Sequence, residues 1–299
     1  MENNDLVSCV IPSYKRAETL RRAINSVLAQ TYSHIEVIVV DDNIANDEFS
    51  KALHSVLNEY KGDDRVRLVT QPQHINGAEA RNAGIRAAQG EYIAFLDDDD
   101  EWLPGKVEKQ MEILNKHPEI DGVSSLYNEY TAGRLFHSCP PYNAEGLHKK
   151  IFQREVAVFT STILLRRKAL LEAGLFDNTL KRHQDLQLLL DFTKAHKMYA
   201  LNEYLVKLHS DSTINRPSYE RLVNIKRDFF HAVASHLEMY TPKEQRQIKA
   251  AHSFELAFAA LKEKNVTAAI KHILSVGINI SAYKSLMKRM KDRKYIIES

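Results

Sequence analysis

The stretch Tyr92-Ile-Ala-Phe-Leu-Asp-Asp-Asp-Asp-Glu-Trp102 places an apolar segment directly before five consecutive acidic side chains. The apolar part predicts a buried strand, and ligands of open α/β sheets bind at the carboxyl ends of strands. Carboxylates crowded at such an end repel one another at neutral pH, so a hard divalent cation with oxygen ligands would neutralise them. The alternative interpretation is a solvated acidic loop before a helix that begins near Pro104.

Apolar runs alternate with segments of helical periodicity on both sides of this stretch. Strands are predicted at residues 6–11, 35–40 and 66–69, and helices at 17–29, 48–60 and 77–88. Such alternation predicts an α/β fold, a mainly parallel sheet with helices on both faces. Pro12 to Tyr14, Asp41 with Asp42, and Asp97 to Asp100 each follow a predicted strand. We therefore expect them to meet at one edge of the sheet, where such folds bind nucleotides.

Composition places the chain among globular proteins. Its 299 residues are 44% hydrophobic and 27% charged, which suits one large or two modest domains. No apolar run approaches the roughly 20 residues of a membrane span, and residues 1–5 lack the character of a signal peptide. The two cysteines, Cys9 and Cys139, have neither metal-knuckle nor disulfide spacing. We therefore expect a cytoplasmic protein.

Several short motifs follow one another in a fixed order. They are Val7-Ser-Cys-Val-Ile-Pro-Ser-Tyr14, Leu28-Ala-Gln-Thr-Tyr32, Glu36-Val-Ile-Val-Val-Asp-Asp42, Asn76-Gly-Ala-Glu-Ala-Arg-Asn-Ala-Gly-Ile85, Gly90 to Asp100, Trp102-Leu-Pro104, Gly174-Leu-Phe-Asp177 and Arg182-His-Gln-Asp185. In this order they resemble family 2 glycosyltransferases of the GT-A fold, over about residues 6–215. The resemblance implies a glycosyltransferase domain at 1–217, with a nucleotide-binding half at about 1–104 and an acceptor half at about 105–217. A basic helical region at 218–299 follows it.

The resemblance implies a metal-dependent, inverting transfer of a sugar from a UDP-sugar to a hydroxyl of a glycan or lipid-linked acceptor. Relatives of this kind build bacterial surface polysaccharides at the inner face of the membrane. A non-catalytic sugar-nucleotide-binding or scaffolding protein of the same fold is the alternative. A sugar nucleotidyltransferase would need a Gly-rich, basic phosphate loop after the first strand, and Pro12 to Tyr14 is not one.

Donor-binding residues can be assigned through the same resemblance. Pro12 and Tyr14 are expected beside the base, where stacking on an aromatic ring contributes roughly 1 to 3 kcal/mol. Asp42 is expected to accept a hydrogen bond from the uracil ring, whereas Asp41 caps the following turn. Arg81 suits a diphosphate because a guanidinium binds phosphate oxygens bidentately. As ordinary structural residues, Tyr14 would be a turn tyrosine and Arg81 a surface arginine.

The acidic block matches the Asp-Xaa-Asp signature of the family. We expect Asp99 to bind Mn²⁺ or Mg²⁺ directly and Asp97 to bind the ribose, the metal or a coordinated water. Asp98, also assigned to the sugar-nucleotide site, stands where relatives often have a small or hydroxyl residue. His209 resembles a late histidine that some relatives place near the metal or the diphosphate; a structural or solvent-exposed histidine is the alternative.

The expected general base is Asp185. The family places a Glu-Asp pair at the start of a helix after a Gly-Xaa-Phe-Asp element, and here the pair is Gln184-Asp185. Asp185 retains the proton acceptor, while Gln184 lacks the second charge, so less repulsion opposes ionisation of Asp185. A carboxylate favoured by the helix dipole is a compatible structural role.

Charge is unevenly distributed although the formal net charge is only +2. Residues 218–299 contain 15 Lys and Arg against 8 Asp and Glu, while residues 1–217 contain 26 against 31. Thr241-Pro-Lys-Glu244 predicts a capped helix start, and a basic amphipathic helix is predicted at 282–293. That last helix suits contact with an anionic membrane surface, or it is a solvated terminal helix; nucleic acid is not expected. Residues 127–152 are turn-rich and predict a mobile flap.

Overall fold

The computed structural model describes residues 5–210 and 217–276. Its strands are β1 Val7–Ser13, β2 Ile35–Asp41, β3 Val66–Thr70, β4 Tyr92–Phe95, β5 Glu101–Trp102, β6 Gly122–Thr131, β7 Arg134–Ser138, β8 Ile163–Arg166 and β9 Met198–His209. Its helices are α1 Ala17–Leu28, α2 Glu48–Leu57, α3 Gly77–Ala87, α4 Lys106–Lys116, α5 Leu147–Phe152, α6 Arg167–Ala173, α7 Gln184–Ala195, α8 Tyr219–Ala232, α9 Ala234–Leu237, α10 Pro242–Lys262 and α11 Val266–Val276. Short 3-10 turns span Asn58–Tyr60 and Thr160–Thr162. The predicted early strands and helices are all present.

The strands form one sheet in the order β3-β2-β1-β4-β8-β6-β9-β5, with β7 paired to β6. The β3-β2-β1-β4 part is parallel throughout, as expected for strands joined by helices. Beyond β4 the sheet is mixed: β8 pairs antiparallel with β4 and β6, whereas β6 and β9 are parallel. The α/β architecture is thus confirmed, and the mainly parallel arrangement holds for the first half.

Helix α3 packs unusually close to the central strand β1. A Cβ added at Gly84 would lie 2.3 Å from the Val10 side chain, so a glycine is needed for this approach. Arg81 lies one turn earlier on the same helix and is therefore held near the carboxyl end of β1. Tight helix packing thus sets the position of a predicted diphosphate-binding residue.

The helices after residue 217 pack against the acceptor half. Phe229 of α8 contacts Phe152 of α5 edge to face, with ring centroids 6.2 Å apart. His236 Nε2 lies 2.7 Å from Asp191 Oδ1 of α7, and His252 Nε2 donates to the Phe152 carbonyl at 3.0 Å. These helices therefore share a hydrophobic core with α5 and α7.

Local features of the second half agree only partly with the sequence expectations. The capping box at Thr241 is confirmed, with Pro242 at the start of α10. The turn-rich stretch at 127–152 contains the β6–β7 hairpin and α5 rather than a loop throughout, while its mobility as a flap stays a prediction. Strand β8 begins at Ile163, directly after the 3-10 turn Thr160–Thr162. The predicted basic helix at 282–293 lies outside the described residues.

No helix within residues 5–210 and 217–276 combines the length and apolar character needed to cross a membrane.

Candidate active site

Three strand ends meet at one edge of the parallel half of the sheet. The backbone N–H of Asp42 donates to the Ser13 carbonyl at 3.0 Å, and that of Leu96 donates to the Val10 carbonyl at 3.0 Å. Asp41 caps the turn after β2, because its Oδ1 accepts from the Asn43 backbone N–H at 3.0 Å. The predicted meeting of the strand ends at one edge is confirmed. Pro12, predicted to follow the first strand, instead lies buried within β1.

Tyr14, Asp42 and His74 form the first part of the site. The His74 ring stacks on the Tyr14 ring with centroids 3.9 Å apart and planes inclined by 13°. His74 Nδ1 lies 2.9 Å from Asp42 Oδ2 and 3.1 Å from the Asp42 backbone oxygen. The second carboxylate oxygen of Asp42, Oδ1, is buried and has no hydrogen-bond partner among the described residues. An aromatic ring that donates an N–H to Asp42 therefore already fits here.

The acidic block forms the second part, and three arginines face it, of which Arg22 donates to the Asp99 backbone carbonyl. Arg16 approaches Asp98 Oδ1 at 3.0 Å and also contacts Asp99. Arg81 of α3 pairs with Asp97, whose side chain remains 34% exposed. Asp98 is fully buried, so Asp97 and Asp99 are the members that a ligand can reach.

Three carboxyls of the block have raised pKa values. Burial raises the pKa of Asp98 to about 7, against the opposing effect of Arg16. Burial also raises the pKa of Asp99 above its ordinary value and that of Asp100 well above it, and neighbouring aspartates add to both shifts. A cation bound at this partly exposed strand end would favour the ionised form of these carboxyls.

Asp100 and His209 connect the block to the acceptor half. Asp100 accepts from Ser161 Oγ at 2.6 Å and from the His209 backbone N–H at 3.2 Å. The Trp102 indole N–H donates to the Ser161 carbonyl at 2.8 Å. His209 thus ends β9 beside the block, with Nε2 3.7 Å from Glu101 Oε2. The 3-10 turn at 160–162 therefore positions both the acidic block and the end of β9.

The residues present fit a hard divalent cation. In the described part of the chain no three His, Cys, Asp or Glu side chains are already grouped as metal ligands. A site with one or two protein carboxylates is nevertheless what Mg²⁺ and Mn²⁺ use when substrate phosphates supply further oxygens. Asp99 and Asp97 meet this requirement, because both side chains are partly exposed.

Asp185 lies in the first turn of α7, across from the acidic block. It is close enough to interact electrostatically with Arg81, which itself pairs with Asp97. The neighbouring Gln184 points its amide back to the Leu180 carbonyl. In the Gln184-Asp185 pair, Asp185 is therefore the residue whose side chain interacts with the site.

Sequence reasoning missed Arg16, His74 and Asp100. Arg16 lies two residues after Tyr14, so its place beside a strand end was a usable signal. His74 lies in the loop between β3 and α3, and nothing in its local sequence indicates its contact with Tyr14. Asp100 was counted within the block, but its role as a link to β9 depends on tertiary structure.

Two surface clefts lie away from this edge. One of about 540 Å³ is lined by Gly90 and Arg167, before β4, and is therefore at the opposite edge from the acidic block. The other, of about 480 Å³, lies beside Tyr60 and Arg67. Neither contains any predicted site residue.

Residues 8–175 match the family model described as Glycosyl transferase family 2. The chain is 31% identical over 273 residues to an uncharacterized glycosyltransferase of Rickettsia prowazekii (strain Madrid E), covering 87% of this chain and 80% of the relative. It is 36% identical over 125 residues to the UDP-Glc:alpha-D-GlcNAc-diphosphoundecaprenol beta-1,3-glucosyltransferase WfgD of Escherichia coli, covering 42% and 46%. Among solved structures, the mannosyltransferase PcManGT of Pyrobaculum calidifontis in complex with GDP-Man and Mn²⁺ superposes with a TM-score of 0.59 at 16% identity, covering 97% and 84%.

Proposed function

This chain belongs to glycosyl transferase family 2, and from that premise we propose that it transfers a sugar from a UDP-sugar to a hydroxyl of a glycan or lipid-linked acceptor, with inversion and with a divalent metal. The observation that carries the proposal is the convergence of a stacking ring, a carboxylate and an acidic block at one sheet edge. Surface-polysaccharide synthesis at the inner face of the bacterial membrane is the setting we propose.

The UDP preference is supported by the contacts of His74. Its ring stacks on Tyr14 and its Nδ1 faces the Asp42 carboxylate at 2.9 Å. A uracil ring would make the same two contacts, because its N3–H can donate to Asp42 while its face stacks on Tyr14. Cytosine has no N–H at that ring position. We infer that the base takes the place of the His74 ring when the donor binds. The relative WfgD is named as a user of UDP-Glc.

The diphosphate would lie between the arginines and the acidic block. Arg81 and Arg16 present guanidinium groups that suit phosphate oxygens. Asp99 and Asp97 would hold Mn²⁺ or Mg²⁺, with His209 as a further candidate near the same place. Such an ion offsets negative charge on a leaving diphosphate. The PcManGT structure was solved with Mn²⁺.

Asp185 would remove the proton from the acceptor hydroxyl. As the hydroxyl loses its proton, its oxygen attacks the anomeric carbon, and the bond from that carbon to the diphosphate breaks. Attack from the side opposite the leaving group inverts the configuration. Arg81 interacts with both Asp97 and Asp185, and so it ties the donor and acceptor sides together.

The test measures release of the nucleoside diphosphate from UDP-Glc, UDP-Gal, UDP-GlcNAc, UDP-GalNAc, UDP-GlcA and GDP-Man, with Mn²⁺ or Mg²⁺. We expect turnover of one UDP-sugar, which EDTA abolishes. The Asp185→Asn variant should bind that donor normally and turn over at least about 100-fold more slowly, as loss of a general base predicts. Glu119→Gln, an exposed surface change, is the control.

Other outcomes separate the alternatives. Binding without turnover, even when lipids extracted from cells are supplied as acceptors, would favour the non-catalytic sugar-nucleotide-binding protein. Turnover of GDP-Man in place of every UDP-sugar would overturn the assignment of Asp42. Absence of nucleotide binding in the presence of metal would refute the donor site itself.

A further inference from the structure

Arg154 has an unusual backbone conformation, and only one of its three guanidinium nitrogens donates a hydrogen bond within the described residues. It lies between α5 and the 3-10 turn at 160–162, with φ of 59°, in a region that residues other than glycine rarely adopt. Its Nε donates to Glu255 Oε1 of α10 at 2.8 Å. Within the described residues its two Nη groups make no hydrogen bond, and the side chain is 26% exposed. These two donor groups are available to a ligand.

The guanidinium faces the acceptor side of the site. Besides Glu255, the groups with which it interacts electrostatically include Asp185 and Tyr127. Arg81 also interacts with Asp185 but pairs with Asp97 of the acidic block. No ion pair joins Arg154 to Asp185 in the part of the chain that the structure describes. Tyr127 packs edge to face on the exposed Phe159 beside it, with centroids 5.0 Å apart.

Arg154 shares its carboxylate partner with a second cation. Glu255 accepts from Arg154 and also pairs with Lys226, whose side chain is only 4% exposed. Burial, with the nearby Lys226 and Arg154, lowers the pKa of His183 and of His252 well below the ordinary value, so both imidazoles are neutral. Glu255 is bonded to the Nε side of Arg154, and the Nη edge of the guanidinium suits the oxygens of an anion.

We propose that Arg154 binds an anionic group of the acceptor, a phosphate or a carboxylate, next to the hydroxyl that Asp185 deprotonates. The inference rests on the proposed function, because it takes Asp185 as the base. A guanidinium held through Nε by Glu255 keeps an Nη edge that matches the oxygens of such a group. Through Glu255, helix α10 orients a group that selects the acceptor.

The experiment compares three probes that share an octyl chain: octyl phosphate, octyl glucuronide and the uncharged octyl glucoside. Binding to the full chain is measured by calorimetry, with and without UDP and Mn²⁺. On the wild type we expect at least one charged probe to bind about tenfold more tightly than the glucoside, which is about 1.4 kcal/mol. The better of the two charged probes distinguishes a phosphate ester from a uronate.

The Arg154→Gln variant should lose this preference, and Arg154→Lys should keep part of it. Lys226 still pairs with Glu255 in both variants, so no carboxylate is left unpaired and both should fold. Arg134→Gln, on the exposed hairpin strand β7, is the matched control and should behave as wild type. Affinity for UDP should be the same in all four proteins, because Arg154 does not touch the donor side.

Equal affinity of the wild type for all three probes would overturn the proposal, as would a preference that survives in Arg154→Gln. If the role of Arg154 were purely structural, Arg154→Gln would bind the three probes more weakly by the same factor, and the ratio of their affinities would not change. Failure of the wild type to bind UDP would refute the proposed donor site, and the ratio measured without UDP would still decide the role of Arg154.

Discussion

The donor edge of this protein, where the acidic block follows β4, and the acceptor edge, where Arg154 follows α5, differ in their charged groups. At the donor edge, four consecutive aspartates face Arg16, Arg22 and Arg81, and the pKa of Asp98 is raised by burial to about 7. At the acceptor edge, Arg154 and Lys226 share Glu255, whose pKa lies well below its ordinary value despite burial because of both cations. The contrast agrees with the cation proposed for the first edge and the anion proposed for the second.

The largest destabilising effect is expected at the acceptor edge, from Glu255→Gln. This change leaves Arg154 and Lys226 without their shared carboxylate, and removing one partner of a buried pair costs about 3 kcal/mol. Denaturant unfolding followed by Trp102 fluorescence measures the free energy of unfolding. Glu59→Gln, which breaks an exposed pair with Arg21, is the control and should cost less than about 1 kcal/mol. Equal costs for the two variants would show that Glu255 contributes no more to stability than an exposed ion pair does.

An effect of similar size and opposite sign is expected at the donor edge, from Asp98→Asn without metal at pH 7. The folded protein holds a proton on Asp98 up to about pH 7, whereas in the unfolded chain this carboxyl ionises near pH 4. The stabilisation from Asp98 is thus complete below about pH 4 and is lost as pH rises to about 7. Arg16 retains Asp99 in the variant.

The check is denaturant unfolding between pH 4 and 8 in EDTA. We expect the wild type to lose up to about 4 kcal/mol more than Asp98→Asn over this range, since the shift is about three pKa units and one unit corresponds to about 1.4 kcal/mol. Parallel curves for the two proteins would show that the pKa of Asp98 is not raised in the folded protein. Added Mn²⁺ should recover wild-type stability at pH 8.

The smallest effect is expected from His74→Ala, which sharpens the description of the donor edge. If the base must displace the His74 ring from Tyr14, its removal should tighten UDP binding about threefold, because more of the protein is then competent to bind. His34→Ala, at the opposite end of β2, serves as the control for calorimetric titration with UDP. Weaker binding in His74→Ala would mean that His74 holds the base rather than yielding to it.

Much of the parallel half of the fold could be predicted from local patterns. The run from Ile35 to Val40 and the spacing of Leu20, Ile24 and Val27 each have one compatible periodicity, and the structure has a strand and a helix there. The structure of the turn-rich stretch at 127–152 was harder to predict, because glycines and prolines permit both an irregular loop and a hairpin. Its pairing with β9 depends on a partner elsewhere in the chain.

By itself the sequence determined the order of strands and helices, the α/β class and the carboxylates at the strand ends, since each depends on neighbours along the chain. Only the tertiary structure decided that His74 stacks on Tyr14 and that Arg16 faces Asp98. It likewise decided that Arg154 meets Glu255, which lies 101 residues away along the chain. Side chains so far apart come together through the packing of whole elements. No local periodicity records such a contact, because its energy exists only after the chain has folded.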